Sequence, residues 1–456
     1  MTHLDPGSCL ALTFLVSLLI LLGSRFGGLV SERDSGAFRL VIAALAGVVV
    51  LYLLLTVLDA LRIRWHPLVI VGLLGGAIVA AHRFLRSPPA ALVPAGNPAA
   101  RLGWGDAAAA VAIAAFARYA ESMCIVIADF FFHWGIKAER FFLARGTDYA
   151  FLALSWNWQL RPDYPNLLPD LYACTAILAG RFAAPTMMLW SVGFFLLLLL
   201  AGREALIQAG TERLVAQATL AVTALAAAAA GMRGNMAGGA DWMISLAIVA
   251  ALPPLLRPAD RAGNAQVGVA AAFAAVAKVE GTALAAFLIG VQLVRAAAGM
   301  RRERRIDGRS LAALVLPAAA VVLPWQIQVR RLHFSPGVYG GFDLRHAEAI
   351  AAALRYELTA SPTWHGFAFA LLLLPLLGFR RRLRPLGTVL ALQLAFYMYV
   401  YFSFRFDPVP LVITSFDRLE LHLLPPLLLA SGIALDPFLR LRRPASAPAP
   451  GSAGAT

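Results

Sequence analysis

Charge is what this chain has least of: only 14% of its 456 residues are Asp, Glu, Lys or Arg, against roughly a quarter in soluble domains. That deficit excludes a soluble globular enzyme. Hydrophobic residues make up 60% of the chain, more than a water-facing surface of this size can hide, so much of the apolar surface must face lipid. Lysine is scarcer still. Of 39 basic residues only Lys137 and Lys278 are lysine. Cysteine is limited to Cys9, Cys124 and Cys174, isolated and without CxxC spacing, which argues against a disulfide framework or a zinc site and favours three small core residues. The first apolar segment lacks a preceding basic region and a clear small-x-small cleavage site, so it reads as a retained helix and not a removed leader.

Long apolar runs fill the remainder, among them Ala11 to Leu22, Val41 to Leu58 and Met187 to Leu200. With their flanks they approach the ~20 residues that cross a bilayer as a helix. Lipid offers backbone groups no partner, and the runs are too long for barrel strands, so helices are expected throughout. The pattern reads as an all-α integral membrane protein of about thirteen spans. They are placed near 9–23, 38–59, 67–84, 106–126, 185–201, 213–231, 240–257, 264–278, 281–298, 309–327, 364–378, 385–404 and 419–437.

A net charge of +14 would point to nucleic acid in a soluble protein. Here the arginines sit in short loops between apolar runs, which sets topology instead and leaves no nucleic-acid partner. The clusters Arg301, Arg302, Arg304, Arg305 and Arg309, then Arg380 to Arg384, then Arg440 to Arg443 belong in the cytoplasm. Parity then forbids the short apolar segment 167–182 from crossing and makes it interfacial or re-entrant. Residues 438–456 are expected to form a disordered cytoplasmic tail, which after Pro444 is Ala/Pro/Ser/Gly-rich with nothing to bury. Two large loops, 127–184 and 328–363, fall on the outer side, with smaller ones at 232–240 and 405–418.

Polar chemistry collects at these outer ends. Asp129 opens a stretch running to Phe142, in which a helix would align Asp129, His133, Lys137 and Arg140 on one face. Such a helix serves either as an interfacial anchor with snorkelling charges or as a carboxylate at the water edge, placed to deprotonate a hydroxyl. Further on, Trp156 to Pro169 interleaves tryptophans with Asp163 and Tyr164; the tryptophans fit an interfacial belt or a sugar-stacking surface equally. The glycine-rich run from Gly231 to Ala240, with Arg233 inside it, leads to Asp241, either a helix cap or a site carboxylate. Lys278 and Glu280 lie between two spans, where charge is expensive without a partner. Arg418 opens the last span. Both lysines fall beside outer carboxylates in a chain that otherwise uses arginine, which points to a compact ammonium set against a phosphate. No internal repeat and no broken-helix pattern of the transporter kind is visible.

In order and topology these segments resemble the type C glycosyltransferases, membrane enzymes that use polyprenyl-phosphate-linked sugars, and in particular bacterial relatives of the lipid A aminoarabinose transferase and the protein mannosyltransferases. The resemblance runs from about 106 to 437 and leaves 1–105 as additional N-terminal helices. It is carried by Asp129 with Trp134-Gly135-Ile136-Lys137-Ala138, Pro162-Asp163-Tyr164-Pro165 leading to Leu168-Pro169, Ala240-Asp241, Lys278-Val279-Glu280-Gly281, and Ser415 to Pro425. It departs where relatives often carry an acidic pair at the first motif and this chain has Asp129 alone. What the resemblance implies is an inverting transferase in the bacterial inner membrane, with its active site outside and a helical first outer loop. Asp129 and Asp241 would be catalytic, and Lys137, Lys278, Arg233 and Arg418 would hold the donor phosphate. His133, Trp134, Asp163, Tyr164 and Glu280 would line the site. Its partners would be a lipid-linked sugar, membrane lipid and an acceptor; no cofactor is certain, and a divalent metal between the carboxylates, used by some relatives, stays open. A lipid-linked-saccharide transporter is the competing expectation.

Overall fold

A computed structural model describes residues 4–29, 31, 33–84, 102–124, 126–127, 129–303, 307–334, 339–360, 371, 377–378 and 380–441. Within these the chain is helical, and its only β feature is a single bridge between Tyr339 and Phe404. The helices are α1 (Pro6–Gly23), α2 (Gly36–Ala60), α3 (Pro67–Phe84), α4 (Trp104–Met123), α5 (Gly135–Ala144), α6 (Tyr149–Leu152), α7 (Leu167–Ala179), α8 (Ala184–Gln208), α9 (Arg213–Arg233), α10 (Asp241–Leu256), α11 (Arg261–Ala277), α12 (Val279–Glu303), α13 (Gly308–Arg331), α14 (Ala347–Thr359), α15 (Arg384–Ser403) and α16 (Pro408–Leu441). Nine helical stretches among the described residues are long and apolar enough to cross a membrane, so the chain is a multi-pass membrane protein by composition and length. The expected span 364–378 lies outside the described residues apart from 371 and 377–378.

Composition explains which helices sit at the centre. Helix α10 is apolar around its whole circumference, α11 is so beyond Gln266, and both are almost wholly buried, the mark of helices surrounded by other helices. In α11 small side chains, chiefly Ala and Gly, let neighbouring backbones come close. The same device joins α1 to α2, where a Cβ on Gly47 would lie 2.0 Å from the Leu19 carbonyl oxygen. By contrast, α3 buries only Ile70, Leu74 and Ala81 and stands at the periphery. The short helix α7 is buried from Leu167 through Ile177. Its side chains pack against other helices of the protein, chiefly α1 and α5.

Polar contacts sort into two sets at opposite ends of the helices. One set joins Asp5 to Arg181, Asp59 to Thr147 (2.5 Å between Oδ2 and Oγ1) and the Trp65 N–H to the Arg145 carbonyl (2.7 Å). The other joins Asp34 to Arg257 (2.7 Å) and to Gln266 (2.6 Å), and Arg203 to Asp106 (2.8 Å). The N-terminal helices α1 to α3 are therefore bonded at both ends to the rest of the chain.

Candidate active site

The first of these ends carries a cavity of about 440 Å³, walled by the segment after α4, the α11–α12 junction, the C-terminal end of α15 and one face of α16. On α16 the lining residues Leu411, Thr414, Ser415, Arg418 and His422 recur at intervals of three and four, so a single helical stripe faces the space. Tyr397 and Tyr401, one turn apart on α15, form the next wall.

Asp129 and His133 line this cavity, but Lys137 does not. The stretch they share is helical, as its spacing implies, yet a π-type turn spans Phe130–Trp134, closed by the Gly135 N–H bonding to the Phe130 carbonyl. One extra residue in a turn rotates everything after it by roughly 100°. The face expected from simple helical spacing is therefore broken after His133. Lys137 turns inward, fully buried, with Nζ 4.8 Å from the centre of the Trp134 ring and 3.5 Å from the Arg161 carbonyl oxygen. Arg140 turns outward to Asp148 (2.7 Å). Phe131 and Phe132 are exposed, as expected of a segment lying against lipid.

Burial lowers the Lys137 ammonium to about 7, partly offset by the Asp163 carboxylate. Burial, and then the Lys137 and Lys278 charges, hold His133 well below the usual imidazole range, so it is neutral. The Lys137 shift makes a stability prediction. Its value in the folded chain is below that in the unfolded chain, so the unfolded state binds the extra proton between about pH 7 and the ordinary lysine value near 10.4. Stability should rise with pH across that window and be lowest below it. The thermal unfolding midpoint of Lys137→Met should rise less between pH 7 and 10 than that of the natural chain; parallel curves would show that Lys137 titrates normally.

Asp241 begins α10 but does not cap it, since no side-chain cap bond is made there. Its carboxylate is buried and accepts at Oδ1 from Lys278 Nζ (2.7 Å) and from His422 Nε2 (3.0 Å). Asp129 pairs through Oδ1 with Arg418. The second oxygens of both carboxylates are buried and unpartnered. They approach each other over Gly239, where a Cβ would lie 3.0 Å from Asp241 Oδ2 and 3.8 Å from Asp129 Oδ2. The preceding Gly238 adopts φ +75° and is wedged against Met188 and Phe130, so the glycine-rich segment brings the two acids together through close packing.

Among the other expected residues, Tyr164 and Glu280 line the cavity, joined by a bond of 3.3 Å from Tyr164 Oη to Glu280 Oε1. Trp134 and Asp163 stand one layer behind it. Asp163 clamps Arg161 through two bonds of 3.1 and 2.9 Å. Arg233 is exposed at the end of α9 and does not reach the cavity. Four participants escape a motif reading. Arg161 lines the cavity with its guanidinium over the Tyr164 ring (4.5 Å) and near the Tyr339 ring (5.6 Å); His422 and Tyr397 form a bonded pair (2.6 Å). The spacing of His422 from Arg418, one helical turn, was the available signal for it. Tyr339 comes from a distant loop and carried none.

A divalent metal does not fit these residues. Among the described residues no group of three or more His, Cys, Asp or Glu is placed to hold one. Asp129 and Asp241 each offer one free oxygen, but Arg418 and Lys278 already neutralise them, and a second cation would be repelled. No family model, curated protein or solved structure matches the chain.

Proposed function

We propose that the chain is an inverting glycosyltransferase that moves a sugar from a polyprenyl-phosphate carrier to a hydroxyl-bearing envelope acceptor on the outer face of the bacterial inner membrane. The observation that carries this reading is the unmatched hydrogen-bonding capacity of the site. Arg418 Nε is a buried donor without a partner, while Asp129 Oδ2, Asp241 Oδ2 and Glu280 Oε2 are buried acceptors without partners. Buried polar groups are rarely left so. An acceptor oxygen for Arg418 and several O–H donors for the carboxylates would satisfy them, and a phosphorylated sugar offers both together.

In the proposed step the acceptor oxygen attacks the anomeric carbon as the bond from that carbon to the phosphate oxygen breaks, with inversion. The acceptor proton passes to Asp129 Oδ2. The phosphate leaves as a weak base and needs no acid; its charge is met by Arg418 and by the cavity-lining Arg161 and Lys278. Asp241, behind Lys278 and His422, sets the position of that ammonium. Lys137, expected beside the phosphate, takes the role of a buried support beneath Trp134. A transporter would require charge along a passage through the bilayer, whereas these charges gather at one end of the helices. The finer topology, about thirteen spans with the tail in the cytoplasm, belongs to the same proposal.

Two experiments test it. Cells lacking the protein should accumulate a polyprenyl-linked sugar that the natural chain clears and Asp129→Asn does not; an unchanged lipid-linked pool would overturn the transferase reading. For orientation, the existing cysteines are replaced and single ones introduced at Ala150, Arg345, Arg309 and Arg382, all exposed. An impermeant thiol reagent added outside should modify the first two and spare the last two, and labelling at 309 would reverse the topology.

A further inference from the structure

His422 has no part in the transfer chemistry proposed above, yet it is buried, lines the cavity and is bonded on both ring nitrogens. The partners fix which nitrogen carries the proton. Asp241 Oδ1 already accepts from the Lys278 ammonium at 2.7 Å, so this carboxylate is ionised and can only accept. The 3.0 Å contact from His422 therefore has Nε2–H as the donor. In a neutral ring Nδ1 is then an acceptor, and the Tyr397 hydroxyl, 2.6 Å away, donates to it. The two bonds run in one direction, from Tyr397 through His422 to Asp241.

That direction rules out a proton exit. An imidazole that already points Nε2–H at the carboxylate has no lone pair there with which to take a proton from it. What the arrangement can do is orient. With Lys278 and His422 both bonded to Oδ1, rotation of the Asp241 carboxylate is blocked, and Oδ2 is left facing Gly239 and the free oxygen of Asp129. We infer that His422 is a positioning residue, held in its Nε2–H tautomer by the accepting Asp241 carboxylate with Tyr397 donating to Nδ1, whose task is to keep Asp241 turned so that its unengaged oxygen faces Asp129. The role of Tyr397 follows from this. It acts only through the ring, and its loss should matter only as far as the ring then shifts away from Asp241.

This inference rests on the transferase reading for its consequence but not for its geometry, and the test separates the two. The full-length chain in lipid nanodiscs, labelled with 15N in its eight histidines, gives ring-nitrogen signals; those of His422 are assigned by their loss in His422→Gln. The expected signals are an acceptor Nδ1 and a protonated Nε2, and in Tyr397→Phe the same tautomer with the Nδ1 signal moved by the loss of its donor. A protonated Nδ1, or a Tyr397→Phe spectrum identical to that of the natural chain, would overturn the inference.

In cells, His422→Gln keeps an N–H for Asp241 and should clear the lipid-linked sugar to within about threefold of the natural chain. His422→Leu should lose clearance by roughly a hundredfold, the scale of one misplaced catalytic contact, at equal membrane levels. Equal defects in Gln and Leu at equal levels would make His422 a packing residue and overturn the positioning role. If the natural chain leaves the lipid-linked pool unaltered, the transferase reading falls, and the ring-nitrogen spectra decide the fate of His422 without it.

Discussion

Asp129→Asn is expected to lower transfer by about a hundred- to ten-thousandfold, the range of general-base contributions, while the protein stays inserted and folded. Asparagine preserves the shape of the side chain, and its amide oxygen can still accept from Arg418. The pair is partly exposed, with 31% and 19% of the side-chain surfaces accessible, so losing its charge should cost little stability. What disappears is the capacity of Oδ2 to take a proton, and the neutral amide supplies no substitute. Consumption of lipid-linked donor by purified protein is the readout. Turnover near that of the natural chain would remove Asp129 as the base and leave Glu280, whose Oε2 is also unpartnered, as the carboxylate to examine.

The value of that variant depends on how its neighbours were found. The helices were legible because lipid imposes one rule on every span, a long apolar run, and loop arginines mark the breaks. Asp129, Tyr164, Glu280, Lys278 and Arg418 were legible because charge or phenol at the end of an apolar helix must be satisfied by something. Lys137 misled for a local reason: simple helical spacing places it beside His133, but the π-type turn at Phe130–Trp134 moves it one residue around the axis. Nothing in a run of phenylalanines announces such a turn. Arg233 misled differently, because proximity in sequence to Asp241 says nothing about reach, and at the end of α9 it is exposed and not among the cavity-lining residues. Tyr339 and Tyr397 were silent because their approach depends on the return of a long loop and on the crossing of α15 and α16.

The buried pair of Asp241 and Lys278 should produce the largest loss of stability, and a double substitution separates its two roles. Both side chains are at most 2% exposed. Removing one partner leaves a charge that neither water nor protein neutralises, at a cost of about 3–5 kcal/mol. Asp241→Asn and Lys278→Met should each lower the unfolding midpoint sharply in detergent. The Lys278→Met chain should also lose about a hundredfold in turnover from its folded fraction, since a cation against the leaving phosphate is absent. Combined, the substitutions remove both charges, and a neutral pair of similar volume is often as stable as the ion pair it replaces. The double variant should therefore recover most of the midpoint while remaining as slow as Lys278→Met. If transfer recovers along with stability, the pair only supports the fold, and the phosphate must be held by Arg418 and Arg161 without it.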